Sequence, residues 1–87
     1  MTELNYKLDW IGGSCPVQAQ GTYQGKNLYF RARGNWWTLY IGDPDVFADD
    51  AWTYGEPYGD EPFEAGWMET TEAIEFIEQA LRLYDKR

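Results

Sequence analysis

The sequence predicts an α+β fold: a four-stranded antiparallel sheet, arranged as a meander, with one C-terminal helix packed on one face. Three observations carry this. Apolar residues alternate through the first half, glycine-bearing turns divide that half into hairpins, and a helical apolar stripe lies near the end.

The first strand is expected at about residues 3–11. Leu4, Tyr6, Leu8 and Trp10 alternate there with Asn5, Lys7 and Asp9, the period of a half-buried strand. Gly12-Gly13-Ser14 breaks it. Strands at about 16–23 and 28–33 pair across a turn placed at Gly25-Lys26, with Gly first as a type II′ turn prefers. Tyr23 then faces Leu28, Gly21 faces Phe30 and Ala19 faces Ala32. A ring covering a glycine suits the middle pair. A fourth strand at about 36–41 follows a turn at Gly34-Asn35. It sets Ala32 against Trp37, Phe30 against Leu39 and Leu28 against Ile41. Chosen independently, the two turns put the same residues of the middle strand on the apolar face. A one-residue slip would invert a strand.

Residues 42–69 show no sustained periodicity and read as a long loop. Pro44, Pro57 and Pro62 interrupt it, yet it holds Phe47, Trp52, Tyr54, Tyr58, Phe63 and Trp67. A disordered acidic linker has few aromatics, so these rings are expected to pin the loop to the body. The helix is expected at about 71–85, capped by Thr70 or Thr71, with Glu72 and Glu75 near its positive end. Ala73, Ile74, Ile77, Ala80, Leu81 and Tyr84 share one face, which covers Leu28, Phe30, Ala32, Trp37, Leu39 and Ile41. Residues 1–87 read as one domain, since a chain of this size buries roughly 60–65% of its unfolded surface.

Charge is divided sharply along the chain. Between Gly42 and Leu81 stand twelve carboxylates and no Lys or Arg. The net charge is −8. Like charges repel, so direct binding of nucleic acid or anionic membranes is not expected. No apolar run reaches the ~18 residues of a membrane span, and Met1-Thr2-Glu3-Leu4 lacks the pattern of a signal peptide. A single cysteine, Cys15, leaves no intrachain disulfide, and a cytoplasmic location fits it. It reads as a packed small apolar residue.

Absent residues exclude chemistry. With no histidine, Ser-His-Asp and Cys-His catalysis and histidine metal sites are impossible. Gly12-Gly13-Ser14 lacks the spacing of a phosphate loop. Asp43, Asp45, Asp49 and Asp50 lie close together, but a calcium loop starting at Asp43 needs Gly at 48 and Glu at 54, where Ala48 and Tyr54 stand. No carboxylate pair is singled out for glycoside chemistry. No enzyme, metal or cofactor is expected.

Two surfaces remain as candidates. One is acidic: Asp43, Asp45, Asp49, Asp50, Glu56, Asp60, Glu61, Glu64, Glu72, Glu75 and Glu78. As a continuous stripe it would imitate nucleic-acid phosphates and occupy a basic site on a protein partner. This is the leading expectation. The other is the far face of the sheet, where Gln18, Gln20, Tyr29, Arg31, Arg33, Trp36, Thr38 and Tyr40 fall together. Arginines beside rings can hold a phosphate, a carboxylate or a stacked base. The plainer expectation is that the acidic loop folds over this face and pairs with Arg31 and Arg33. Homodimerisation through exposed aromatics is a third reading.

Cys15-Pro16-Val17-Gln18-Ala19, Gly21, Tyr29-Phe30-Arg31-Ala32-Arg33, then Trp36 or Trp37, and Ala65-Gly66-Trp67-Met68 together form a pattern. It resembles a small family of uncharacterised bacterial and phage-associated proteins. The resemblance covers most of the chain and implies one compact domain, without an activity. In size and charge the chain is also similar to phage-encoded inhibitors, such as anti-CRISPR or anti-restriction proteins. That likeness implies an inhibitory role.

Overall fold

Alternation does build a meander, but with one strand more than expected. The computed structural model describes residues 5–13, 16–43, 45–59 and 64–86. Strands β1 (Tyr6–Gly12), β2 (Val17–Tyr23), β3 (Lys26–Arg33), β4 (Trp36–Gly42) and β5 (Trp52–Pro57) form one antiparallel sheet in sequence order. A short 3₁₀ turn, Glu64–Trp67, precedes helix α1 (Thr70–Asp85). Strand β5 lies inside the stretch expected to be loop. There Trp52 faces Ile41, Tyr54 faces Leu39 and Glu56 faces Trp37. Gly55 and Pro57 mask the alternation in the sequence. Both are tolerated because β5 is an edge strand.

The two hairpins differ in how well their turns were foreseen. Arg33 pairs with Trp36 across Gly34-Asn35, and β3 and β4 hold the expected register. Positive φ at Gly34 alone among those two fits a type II′ turn. The first turn sits one residue earlier than expected, at Gln24-Gly25. Both have positive φ, 54° and 78°, which is a type I′ turn. Gly21 therefore pairs with Leu28 and Ala19 with Phe30. The shift moves each pair by two residues, so the faces are preserved. Gly21 is needed for a different reason than a covering ring: a Cβ there would collide with the Lys7 carbonyl of β1.

Strand β1 also departs from strict alternation. A bulge between Leu8 and Trp10 shifts the register. Ile11 then takes the core-side place opposite Ala19, and Trp10, expected inside, is 49% exposed.

One face of the sheet and one face of α1 make the core. Ala19, Phe30, Ala32, Trp37, Leu39, Ile77 and Leu81 are fully buried. Ala73, Ala80 and Tyr84 join them from the expected helical stripe, while Ile74 stays half-buried. Phe76 stacks on Trp37 at 5.0 Å, and Tyr84 meets Trp52 edge-on at 5.2 Å. The residue before the helix is Glu69, with no side-chain cap bond. Thr70 and Thr71 are thus the first helical residues and not caps. From the AGWM element, Ala65 and Met68 are buried and Trp67 is exposed. Cys15 lies outside the described residues.

A basic and aromatic sheet face as the candidate site

Every second residue of a strand points away from the helix. On β3 these are Asn27, Tyr29, Arg31 and Arg33, and on β4 Trp36, Thr38 and Tyr40. The register sets Gln18, Arg31 and Thr38 in one row and Gln20, Tyr29 and Tyr40 in the next. Arg33 pairs with Trp36 at the end of the hairpin. The ligand-face residues named from the sequence therefore share one surface. Arg31, Arg33, Trp36, Thr38 and Tyr40 line a shallow depression of about 410 Å³. The Trp36 indole lies against Gly55 of β5, where a Cβ would strike its Nε1. Trp36 still leaves 48% of its surface exposed.

Among the described residues, the loop brings no carboxylate into an ion pair with the arginines of this face. Part of it becomes β5 and extends the sheet sideways, beside β4. Neither Arg31 nor Arg33 makes an ion pair among the described residues. One ring of the loop does arrive. Phe47 packs edge-on against Tyr29 at 5.5 Å and Tyr40 at 5.3 Å. Tyr29 and Tyr40 are themselves 5.8 Å apart. Asp45 Oδ1 accepts the Phe47 N–H at 2.9 Å and fixes the approach. Phe47 nevertheless remains 66% exposed. Beyond it, Asp9, Gln18, Gln20, Asn27 and Asp45 border a second depression of about 490 Å³. Sequence reasoning missed Phe47 and Trp10 as members of this face. An Asp-x-Phe turn was a usable signal for Phe47, whereas the bulge that exposes Trp10 has none.

The described acidic candidates are spread over the β4–β5 connection, strand β5 and the helix. Asp43, Asp45, Asp49 and Asp50 are exposed in the β4–β5 connection, and none is in an ion pair among the described residues. Asp43 and Asp50 border a hollow on the helix side, beside Lys26, Trp52 and Tyr84. Glu75 is exposed on the helix. Three others tie elements together. Glu56 accepts from the Tyr54 hydroxyl and from Gln79 Nε2 at 3.2 Å. Glu72 accepts from Tyr58 at 2.8 Å, and Glu78 from Tyr6 at 2.7 Å, with Arg82 3.7 Å away. Asp60, Glu61 and the Glu64 side chain lie outside the described residues.

These ties shift the tyrosines. Burial, then the bond to Glu78, pushes the Tyr6 hydroxyl up to about 12. Burial, then a 2.7 Å bond to Asp85, does the same for Tyr23, also to about 12. Tyr54 is raised chiefly by its bond to Glu56. A carboxylate beside a phenol favours the protonated phenol, so Tyr6 and Tyr23 act as locks between sheet and helix.

Among the described residues, no group of three or more His, Cys, Asp or Glu is arranged to hold a metal ion. No described helix is long and apolar enough to cross a membrane. Compared with protein-family models, with curated proteins and with solved structures, the chain gives no significant match.

Proposed function

We propose that the chain is a non-enzymatic binding protein whose working surface is the sheet face turned away from the helix, where it takes an anionic group. The observation that carries this reading is the pair Arg31 and Arg33, free of ion pairs among the described residues and set beside Trp36 and Tyr40. A guanidinium stays charged at all physiological pH and offers a planar fork to a carboxylate or phosphate. The rings beside it add stacking and lower the local dielectric. The expectation from sequence alone ranked this face second. It moves ahead because its residues converge, while the described members of the acidic set divide between a loop, the helix and three internal ties.

A titration of labelled protein with inorganic phosphate, and separately with an acidic peptide, tests the reading. Amide shifts should concentrate at residues 29–40 and vanish in R31Q/R33Q. Shifts spread evenly, or unchanged in that variant, would overturn it.

The acidic reading survives in narrower form, favoured by the exposed aspartates of the β4–β5 connection. Asp43, Asp45, Asp49 and Asp50 present four negative charges with no cation in the same segment. They would steer a basic protein partner, as a phage-type inhibitor does in a cytoplasmic setting. Raising salt from 50 to 500 mM should then slow association steeply. A salt-independent rate would remove this reading.

A further inference from the structure

The order of groups along β3 has its own symmetry. From the hairpin end, the open face presents Arg33, Arg31, Tyr29 and Asn27, in steps of about 6.7 Å. Asp45 closes the Asn27 end, and Asp9 borders the same depression from β1. The face therefore runs from basic, through the Tyr29, Tyr40 and Phe47 rings, to acidic.

We infer that the occupant of this face is the same face of a second copy of the chain, in a two-fold dimer whose axis passes near Tyr29. This rests on the reading of the open face as the working surface, and names its anionic partner as the carboxylates of the other copy. A two-fold axis lying between the two sheets, parallel to them and perpendicular to β3, lays β3 antiparallel over its symmetry mate. Arg31 and Arg33 of each copy then meet Asp45 and Asp9 of the other, and the aromatic groups meet at the centre. Every contact is made twice, as an isologous interface requires. Two sheets packed face to face stand about 10 Å apart, a gap that side chains of this size fill.

Two further observations support a second copy. Phe47 is carried onto the face by its loop and stays 66% exposed, as does half of Trp36 and Trp10. Rings left in water at the centre of a face call for a covering surface. The size also suffices for a weak dimer. Five strands spaced ~4.8 Å apart and about seven residues long cover roughly 550 Å² of flat sheet. Two copies together exceed the roughly 1,000 Å² that marks a specific interface. Concentration-dependent association in the micromolar range is expected.

The test is a charge swap read by sedimentation velocity. The unaltered protein should shift from monomer to dimer as concentration rises to several hundred micromolar. R31E/R33E faces like charges on Asp9 and Asp45 of its mate and should weaken dimerisation at least about tenfold. D9K/D45K should do the same, for the opposite reason. Mixed in equal amounts, the two variants should form a heterodimer, since Glu then meets Lys in one half and Arg meets Asp in the other. Circular dichroism melts of both variants should stay close to that of the unaltered protein, which separates lost contact from lost fold. A protein that stays monomeric at every concentration would overturn the dimer. So would homodimers unaffected by either double substitution, or a mixture that fails to pair. The phosphate titration separates this failure from that of the parent reading: shifts at residues 29–40 on a monomer keep the anionic site and discard only the second copy.

Discussion

The two faces of this sheet are made from alternate residues of the same strands, and they do opposite work. On the covered face Phe30, Ala32, Trp37 and Leu39 are wholly buried under the helix. Their immediate neighbours Arg31, Arg33, Trp36 and Thr38 look outward, away from the helix. The covered face accounts for stability: apolar side chains interlock, and tyrosine–carboxylate bonds fasten its rim. The open face contributes little of that kind, yet it keeps arginines and large rings in place. A single step along a strand separates a residue held by packing from a residue turned away from the core.

Phe30→Ala should test the covered face most severely. Removing a fully buried ring should cost about 3–5 kcal/mol, read from denaturant unfolding. A loss below 1 kcal/mol would mean that the core lies elsewhere.

Gly21→Ala comes next. Its new methyl would meet the Lys7 carbonyl, so β1 must move. A loss of about 1–3 kcal/mol is expected. Amide exchange should quicken in residues 6–12 while residues 28–41 stay protected. Uniform protection would show that β1 accommodates the methyl.

Alkaline pH should loosen the rim. Tyr6 and Tyr23 have folded values near 12, above the ordinary 10 of the unfolded chain. The stability they contribute is complete below pH 10 and is lost as pH rises from 10 through 12. Replacing both with Phe should lower the melting temperature at pH 8 and flatten its fall across that window. An equally steep fall in the double variant would show that other groups govern alkaline unfolding.

Thr38→Ala, on the open face, should change stability by less than about 1 kcal/mol. A loss comparable with that of Phe30→Ala would erase the distinction between the faces.

The sequence revealed the parts of this fold that depend on regular spacing. The helix, strands β2 to β4 and the Gly34-Asn35 turn were legible because period and turn chemistry agreed. Strand β5 was hidden because Gly55, Pro57 and the surrounding acids outweigh a short Trp52-Thr53-Tyr54 alternation. The Gln24-Gly25 turn was missed because a glutamine rarely takes positive φ, and a neighbouring Gly-Lys offered a cheaper turn. The bulge that exposes Trp10 leaves no mark in composition. The ligand face itself was legible residue by residue from the β3–β4 register. What could not be read was whether the acidic loop covers it, because that depends on where β5 docks.

The central claim is that stability resides on one face and recognition on the other. R31Q/R33Q tests it most directly when melting and binding of an acidic peptide are measured on the same sample. The account predicts unfolding free energy within about 0.5 kcal/mol of the unaltered protein, together with loss of peptide binding. Undiminished binding, or a large loss of stability, would contradict it.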